Sequence, residues 1–264
     1  MTALCWREIS LRKSGRLILA GVSLAVARGE LLGIVGPNGA GKTALLRCAA
    51  GLERGATGVV ELAGVPLTRL APHQRAQGMA FLPQQAETAW PITVSAAVAL
   101  GRLPHAGRCP EADRRAVAWA LDAVGMTSWA ERPITTLSGG ERALVMLARV
   151  LAVEAPVLLL DEPSAALDPQ HQLATMELLC RLAQAGLAVC IVLHDLALAA
   201  RFCQRIVLLQ AGRVVADGTP EATLTDDHLQ QVYAIRGIRH PIDGAHRLVA
   251  WERLPPSSGQ AAAG

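Results

Sequence analysis

The sequence of 264 residues predicts an α/β fold: a mostly parallel sheet, joined to an antiparallel β subdomain and to an inserted α-helical subdomain. Three observations lead there. Short, continuously apolar runs such as Leu31–Val35, Val157–Leu160 and Ala188–Leu193 alternate with helical segments. Runs of that kind belong to strands covered on both faces of a parallel sheet. Cys5–Ala27 instead alternates around a turn at Ser14-Gly15, the pattern of antiparallel strands. From Gln85 to about Ala152, alanine, leucine and arginine dominate at helical spacing.

In chain order, the antiparallel stretch is followed by the strand Leu31–Val35, a glycine-rich turn and a helix over Thr43–Ala50. Met79–Leu82 is a further strand, closed by Pro83. Helical spacing then covers Val94–Leu100, Ala112–Val124 and Glu141–Leu151. The strand–helix alternation resumes with Val157–Leu160, a helix over Gln170–Gln184, Ala188–Leu193, a helix over Leu196–Cys203, and Ile206–Leu209. Arg213–Ala216 follows a glycine turn and suggests a final hairpin. These elements fit one domain over residues 1–235, with the helical subdomain at about 85–152 inserted in its core. Residues 236–264 form a C-terminal extension, expected to be disordered from about 255, where Pro, Ser, Gly and Ala dominate. No internal repeat is visible.

The formal charge of +3 is small and not gathered into a basic run, which argues against nucleic acid as a partner. The hydrophobic fraction is 52%, yet the longest clean apolar run, around Leu187–Leu193, is stopped by His194-Asp195. A membrane-spanning helix needs roughly 18 such residues, so none is expected. The start lacks a signal-peptide pattern. None of the six cysteines forms a CxxC pair, and they are expected to be buried apolar side chains in a reducing compartment.

Gly36-Pro37-Asn38-Gly39-Ala40-Gly41-Lys42-Thr43 fits GxxxxGK[ST] between a strand and a helix. Its glycines let successive backbone N–H groups curl around phosphate oxygens, and the helix adds its positive end. Lys42 would bridge the β- and γ-phosphates, and Thr43 would ligate Mg²⁺. The chain has only two lysines, Lys13 and Lys42. A compact ammonium fits between phosphates where a planar guanidinium does not.

Asp161 leaves the C-terminal end of an apolar strand, where open α/β sheets bind ligands, and is placed to hold Mg²⁺. Glu162 can face the γ-phosphate and orient or deprotonate a water. His194 ends another apolar strand on the same edge, as donor and sensor.

Together with Leu137-Ser138-Gly139-Gly140-Glu141, these residues make the chain resemble the nucleotide-binding subunit of ATP-binding-cassette (ABC) transporters, over about residues 4 to 235. The resemblance implies a P-loop NTPase with a RecA-like core. Gly36–Thr43 resembles Walker A, Gln84 the Q-loop glutamine, and Leu137–Glu141 the signature. Asp161-Glu162 resembles Walker B with its catalytic glutamate, Ser164–Asp168 the D-loop, and His194 the switch histidine. Two copies would then close head to tail on two ATP molecules. Ser138, Gly139 and Gly140 of one copy would complete the site of the other, joined by Asp168. Gln84 would couple the metal and the γ-phosphate to the helical subdomain.

The resemblance further implies a homodimer, a separate membrane permease dimer, a periplasmic or extracellular substrate-binding protein, and a peripheral place on the cytoplasmic face of the cell membrane. Thr93–His105 is similar to the stretch found in ATPases that import ferric siderophores, haem or cobalamin, with iron chelates or haem ranked first. The other readings are a different ABC importer, an exporter, or a non-transport ABC ATPase. Two features depart from the family. No aromatic ring lies near Lys13 to stack on adenine, leaving Lys13 or Arg16 to hold it. Arg142-Ala143-Leu144 stands where a Gln-Arg pair normally follows the signature.

Overall fold

The computed structural model describes residues 1–84, 91–105, 109–242 and 245–254. Expectations for the tail beyond 254 therefore lie outside the described residues. Strands β1 (Thr2–Lys13) and β2 (Arg16–Ala27) form the first hairpin, joined antiparallel by β4 (Thr57–Leu62) and β5 (Val65–Pro66). Between them come β3 (Leu31–Val35) and helix α1 (Lys42–Ala49). Helix α2 (Pro72–Gly78) precedes β6 (Met79–Leu82). The helical subdomain holds α3 (Val94–Ala99), a 3₁₀ segment Leu100–His105, α4 (Pro110–Ala123) and α5 (Gly139–Leu151). Then follow β7 (Val157–Asp161), α6 (Pro169–Gln184), β8 (Ala188–Val192), α7 (Leu196–Phe202), β9 (Arg205–Gln210) and β10 (Arg213–Gly218).

The central sheet runs β10-β9-β3-β8-β7-β6, parallel except for β10. Its strands β3, β7 and β8 read as apolar runs because both faces are buried. Leu31, Val35, Leu158, Leu160, Val189, Ile191, Ile206 and Leu208 point into one core, with α3 to α7. Their alternating neighbours Leu32, Ile34, Val157, Leu159, Cys190, Val192, Val207 and Leu209 point into a second, under the antiparallel sheet and α1. Pairs two apart share a face because successive side chains in a strand point oppositely. Trp6, 1% exposed, joins the layers by donating its indole N–H to the Leu45 carbonyl at 3.2 Å.

This packing places the C-terminal ends of β3, β6, β7 and β8 on one edge. Those ends deliver Gly36, Gln84, Asp161 and His194 to a common region. The described residues of the extension form the antiparallel hairpin β11 (Ile235–Ile242) and β12 (Ala245–Arg253). Leu248 of β12 is buried and joins the first core with Leu229 and Val232. Cys48, Cys190 and Cys203 are buried as expected, and burial pushes the Cys48 thiol up to about 11 and Cys203 to about 12. Cys109 departs from that expectation: it is exposed and precedes α4, whose backbone N–H groups lower its pKa.

Candidate nucleotide site

The phosphate loop owes its shape to glycine. Gly41, just ahead of α1, sits at φ 102, and a Cβ there would lie 2.9 Å from the Ile18 carbonyl oxygen. The left-handed backbone leaves α1 with no side-chain cap and no acidic residue in its first turn. Its leading N–H groups are thus left for an anion. Lys42 is 6% exposed and donates to the carbonyls of Gly36 at 2.7 Å and Pro37 at 3.1 Å. Burial lowers its pKa, while Glu162 and Asp161 pull it back up. A poorly solvated ammonium bound to two neutral carbonyls can exchange them for phosphate oxygens.

Asp161 is 1% exposed. Its Oδ1 accepts from the Thr43 hydroxyl at 3.2 Å, and its Oδ2 has no partner among the described residues. Burial raises its pKa, against smaller lowering from Thr43, Lys42 and His194. A buried carboxylate with one unused oxygen, beside a hydroxyl, fits a hard divalent cation such as Mg²⁺.

Glu162 follows on a strained backbone, φ 55, which turns the chain sharply after β7. The turn aims its carboxylate into the cleft, where each oxygen has a partner. Gln84 Nε2 donates to Oε2 at 2.8 Å, and His194 Nε2 contacts Oε1. Two residues from two neighbouring strand ends thereby fix the one carboxylate. A cleft of about 360 Å³ is lined by Asn38, Gly39, Ala40, Gly41, Lys42, Thr43, Gln84, Glu162 and His194.

Ser138, Gly139, Gly140 and Asp168 do not line that cleft. Ser138 caps α5: its Oγ accepts from the Glu141 N–H at 3.2 Å, and its own N–H donates to Glu141 Oε2 at 2.7 Å. This capping box presents the helix start outward. Asp168 caps α6, accepting from the His171 N–H at 2.9 Å and pairing with its ring Nδ1 at 2.8 Å. The Arg142-Ala143-Leu144 departure is absorbed locally. Arg142 donates twice to the Leu137 carbonyl, at 3.1 and 2.9 Å, and Leu144 packs into the first core.

Lys13 does line the cleft, with Ile18, whereas Arg16 is not among its lining residues. The Lys13 ammonium is held by Glu53 at 2.9 Å, and Arg47 Nε reaches the same oxygen at 2.5 Å. Burial would raise the Glu53 pKa, but these two cations outweigh it and the net shift is downward. Sequence reasoning missed Glu53 and Arg47 because the three residues lie on separate elements and meet only in the fold. It also missed Tyr233, whose hydroxyl meets the backbone N–H of Gly36 and whose pKa is raised by burial.

Residues 19–165 match the profile of the ABC transporter family. The chain is 46% identical over 254 residues to a hemin import ATP-binding protein of Nocardia farcinica, covering 90% of this chain and 88% of that one. It is 38% identical over 239 residues to an iron(3+)-hydroxamate import ATP-binding protein of Bacillus subtilis, covering 89% of each. Among solved structures it resembles a metal-chelate type ABC transporter in an inward-facing conformation, with a TM-score of 0.82 and 25% identity, over 96% of this chain and 98% of that one.

Proposed function

Because the chain belongs to the ABC transporter family, we propose that it is the ATP-hydrolysing subunit of a haem importer, acting through a separate membrane permease. The observation that carries the ATPase reading is the Glu162 carboxylate, held by Gln84 and His194 beside Lys42. The substrate reading is supported by the 46% identity to a hemin import protein. A peripheral place on the cytoplasmic face of the membrane agrees with the absence, among the described residues, of a helix long and apolar enough to cross a bilayer.

In this mechanism Lys42 exchanges the Gly36 and Pro37 carbonyls for oxygens of the β- and γ-phosphates, and the N–H groups of Asn38 to Thr43 surround the rest. Thr43 and Asp161, with Gln84, would hold Mg²⁺, which neutralises phosphate charge when bound. Glu162 orients the attacking water and accepts its proton. Gln84 and His194 fix the direction of that carboxylate, and His194 would donate to the γ-phosphate.

The cleft's own chain leaves the far side of the nucleotide open. Ser138, Gly139 and Gly140, at the positive start of α5, supply that side to a second copy, with Asp168 beside them. The Ser138 oxygen already accepts from Glu141, so its hydroxyl proton is the part left to offer. Lys13 and Ile18 are the candidates to face adenine. A substrate-binding protein outside the membrane would deliver the cargo.

The test is co-purification with the permease, reconstitution in liposomes, and measurement of ATP hydrolysis as a loaded binding protein is added. Haem is expected to stimulate turnover several-fold. Stimulation by a ferric hydroxamate alone would move the substrate to the chemistry named for the Bacillus relative. No stimulation by haem or any metal chelate would overturn the importer reading.

A further inference from the structure

The segment Leu100–His105 belongs to none of the nucleotide-binding motifs, yet it is tied closely to the helix that begins with the signature. Arg102 is 7% exposed. Its Nη1 donates to the Ala152 carbonyl at 2.6 Å and to Glu154 Oε2 at 2.7 Å, and its Nε donates to Asp113 Oδ1 at 2.8 Å. His105 Nε2 lies 2.9 Å from the next carbonyl, that of Val153. Gly101 is pressed against α5 so closely that a Cβ would stand 2.1 Å from the Arg149 carbonyl oxygen. On its other side the segment meets α2, where Gln77 Nε2 donates to the Pro104 carbonyl at 2.7 Å.

Ala152 is the C-cap of α5, just past its last residue Leu151. The last carbonyls of a helix lack intrahelical partners and carry its negative end. A guanidinium and an imidazole from one short segment meet two consecutive carbonyls there. The opposite end of α5 carries Ser138 and Gly140, held by the capping box and by Arg142. At thirteen residues the helix is about 20 Å long and moves as a rod.

We infer that Arg102, with His105, is a positioning residue for the signature: by locking the C-terminal end of α5 to segment 100–105, it sets the pose in which Ser138 and Gly140 meet the nucleotide of a second copy. This rests on the shared-site reading above. The arrangement separates two properties. Nucleotide binding to one chain depends on Lys42 and Thr43 of the phosphate loop, which Arg102 and His105 do not contact. Closure of two chains depends on where the far end of α5 points.

The test uses the full chain carrying Glu162→Gln, which removes the carboxylate assigned to activate water, with Arg102→Gln, Arg102→Lys and His105→Ala added singly. Fluorescent-nucleotide titration of the monomer is expected to give affinities within about twofold of the parent. The ATP concentration for half-maximal dimerisation, by light scattering, is expected to rise roughly tenfold for Arg102→Gln. Arg102→Lys keeps the charge but cannot span three acceptors, so it should fall between, and His105→Ala should shift in the same direction. The lysine and His105 variants keep the test open if the glutamine variant does not fold. Dimerisation at the parent's ATP concentration in the folded variants overturns the proposal, as does a parallel loss of monomer binding. If the parent with native Arg102 fails to dimerise, the shared site itself is wrong and the role assigned to Arg102 falls with it.

Discussion

Asp161 shows what a single buried charge does before its partner arrives. One oxygen is bonded to Thr43 and the other has no partner among the described residues. Removing the charge while keeping the shape should therefore help the fold and harm the chemistry. Asp161→Asn is expected to stabilise the nucleotide-free protein by up to about 1–2 kcal/mol in urea unfolding. The same change should lower Mg²⁺-dependent ATP hydrolysis by at least about a hundredfold.

The raised pKa of Asp161 also sets a pH dependence. Between the ordinary carboxylate value and the raised one, the native state holds a proton that the unfolded state has lost. Asp161's contribution to stability therefore falls as pH rises through that window, and is most favourable below it. Cation binding runs the other way, since it needs the ionised form. Calorimetry should show Mg²⁺–ATP affinity weakening on acidification into that window, with metal-free ATP affected less and the slope absent in Asp161→Asn. At this scale the site was legible wherever a polar residue directly ended an apolar run, as Asp161 and His194 do. Glu53 was not legible, because it sits in a loop and gains its meaning only from Lys13 and Arg47 across the cleft.

The helices and strands that were readable are those whose buried faces leave a period in the sequence. α5 buries Leu144, Val145, Leu147, Ala148, Val150 and Leu151, and the central strands are buried throughout. The elements that escaped notice have no such stripe. α2 buries none of its residues, and β4 is exposed along its first half. Their places are set by neighbours rather than by their own patterning. The contact of Gly101 with α5 gives this scale its prediction. Gly101→Ala forces a methyl into the Arg149 carbonyl and should cost about 1–3 kcal/mol. Leu147→Ala, at a site 1% exposed, should cost about 2–5 kcal/mol. Urea midpoints measure both, and a neutral Gly101→Ala would mean that the 3₁₀ segment is free to slide along the helix end.

The molecule as a whole carries a phosphate-binding cleft and a signature that does not line it. Two defective chains should then repair each other. Lys42→Ala destroys the cleft, and Ser138→Arg blocks the signature. Each homodimer is expected to be inactive, whereas a mixed dimer contains one site with both halves native. Recovery of ATP hydrolysis on mixing checks this, and a mixture as inactive as its parts would place Ser138 on its own chain's nucleotide. The head-to-tail arrangement was suggested by resemblance, since periodicity describes how one chain packs and says nothing of a surface left for another copy.

Both lysines of this arginine-rich chain, Lys13 and Lys42, line the same cleft. A terminal amine aside, every ε-amine the protein owns is therefore within reach of a bound nucleotide. Reagents that acylate or reductively alkylate amines, ordinarily blunt tools that decorate a whole surface, become footprinting probes of one location. Occupancy could be read by mass spectrometry from just two peptides, and immobilisation through lysine would poison the enzyme where cysteine coupling at exposed Cys109 would spare it.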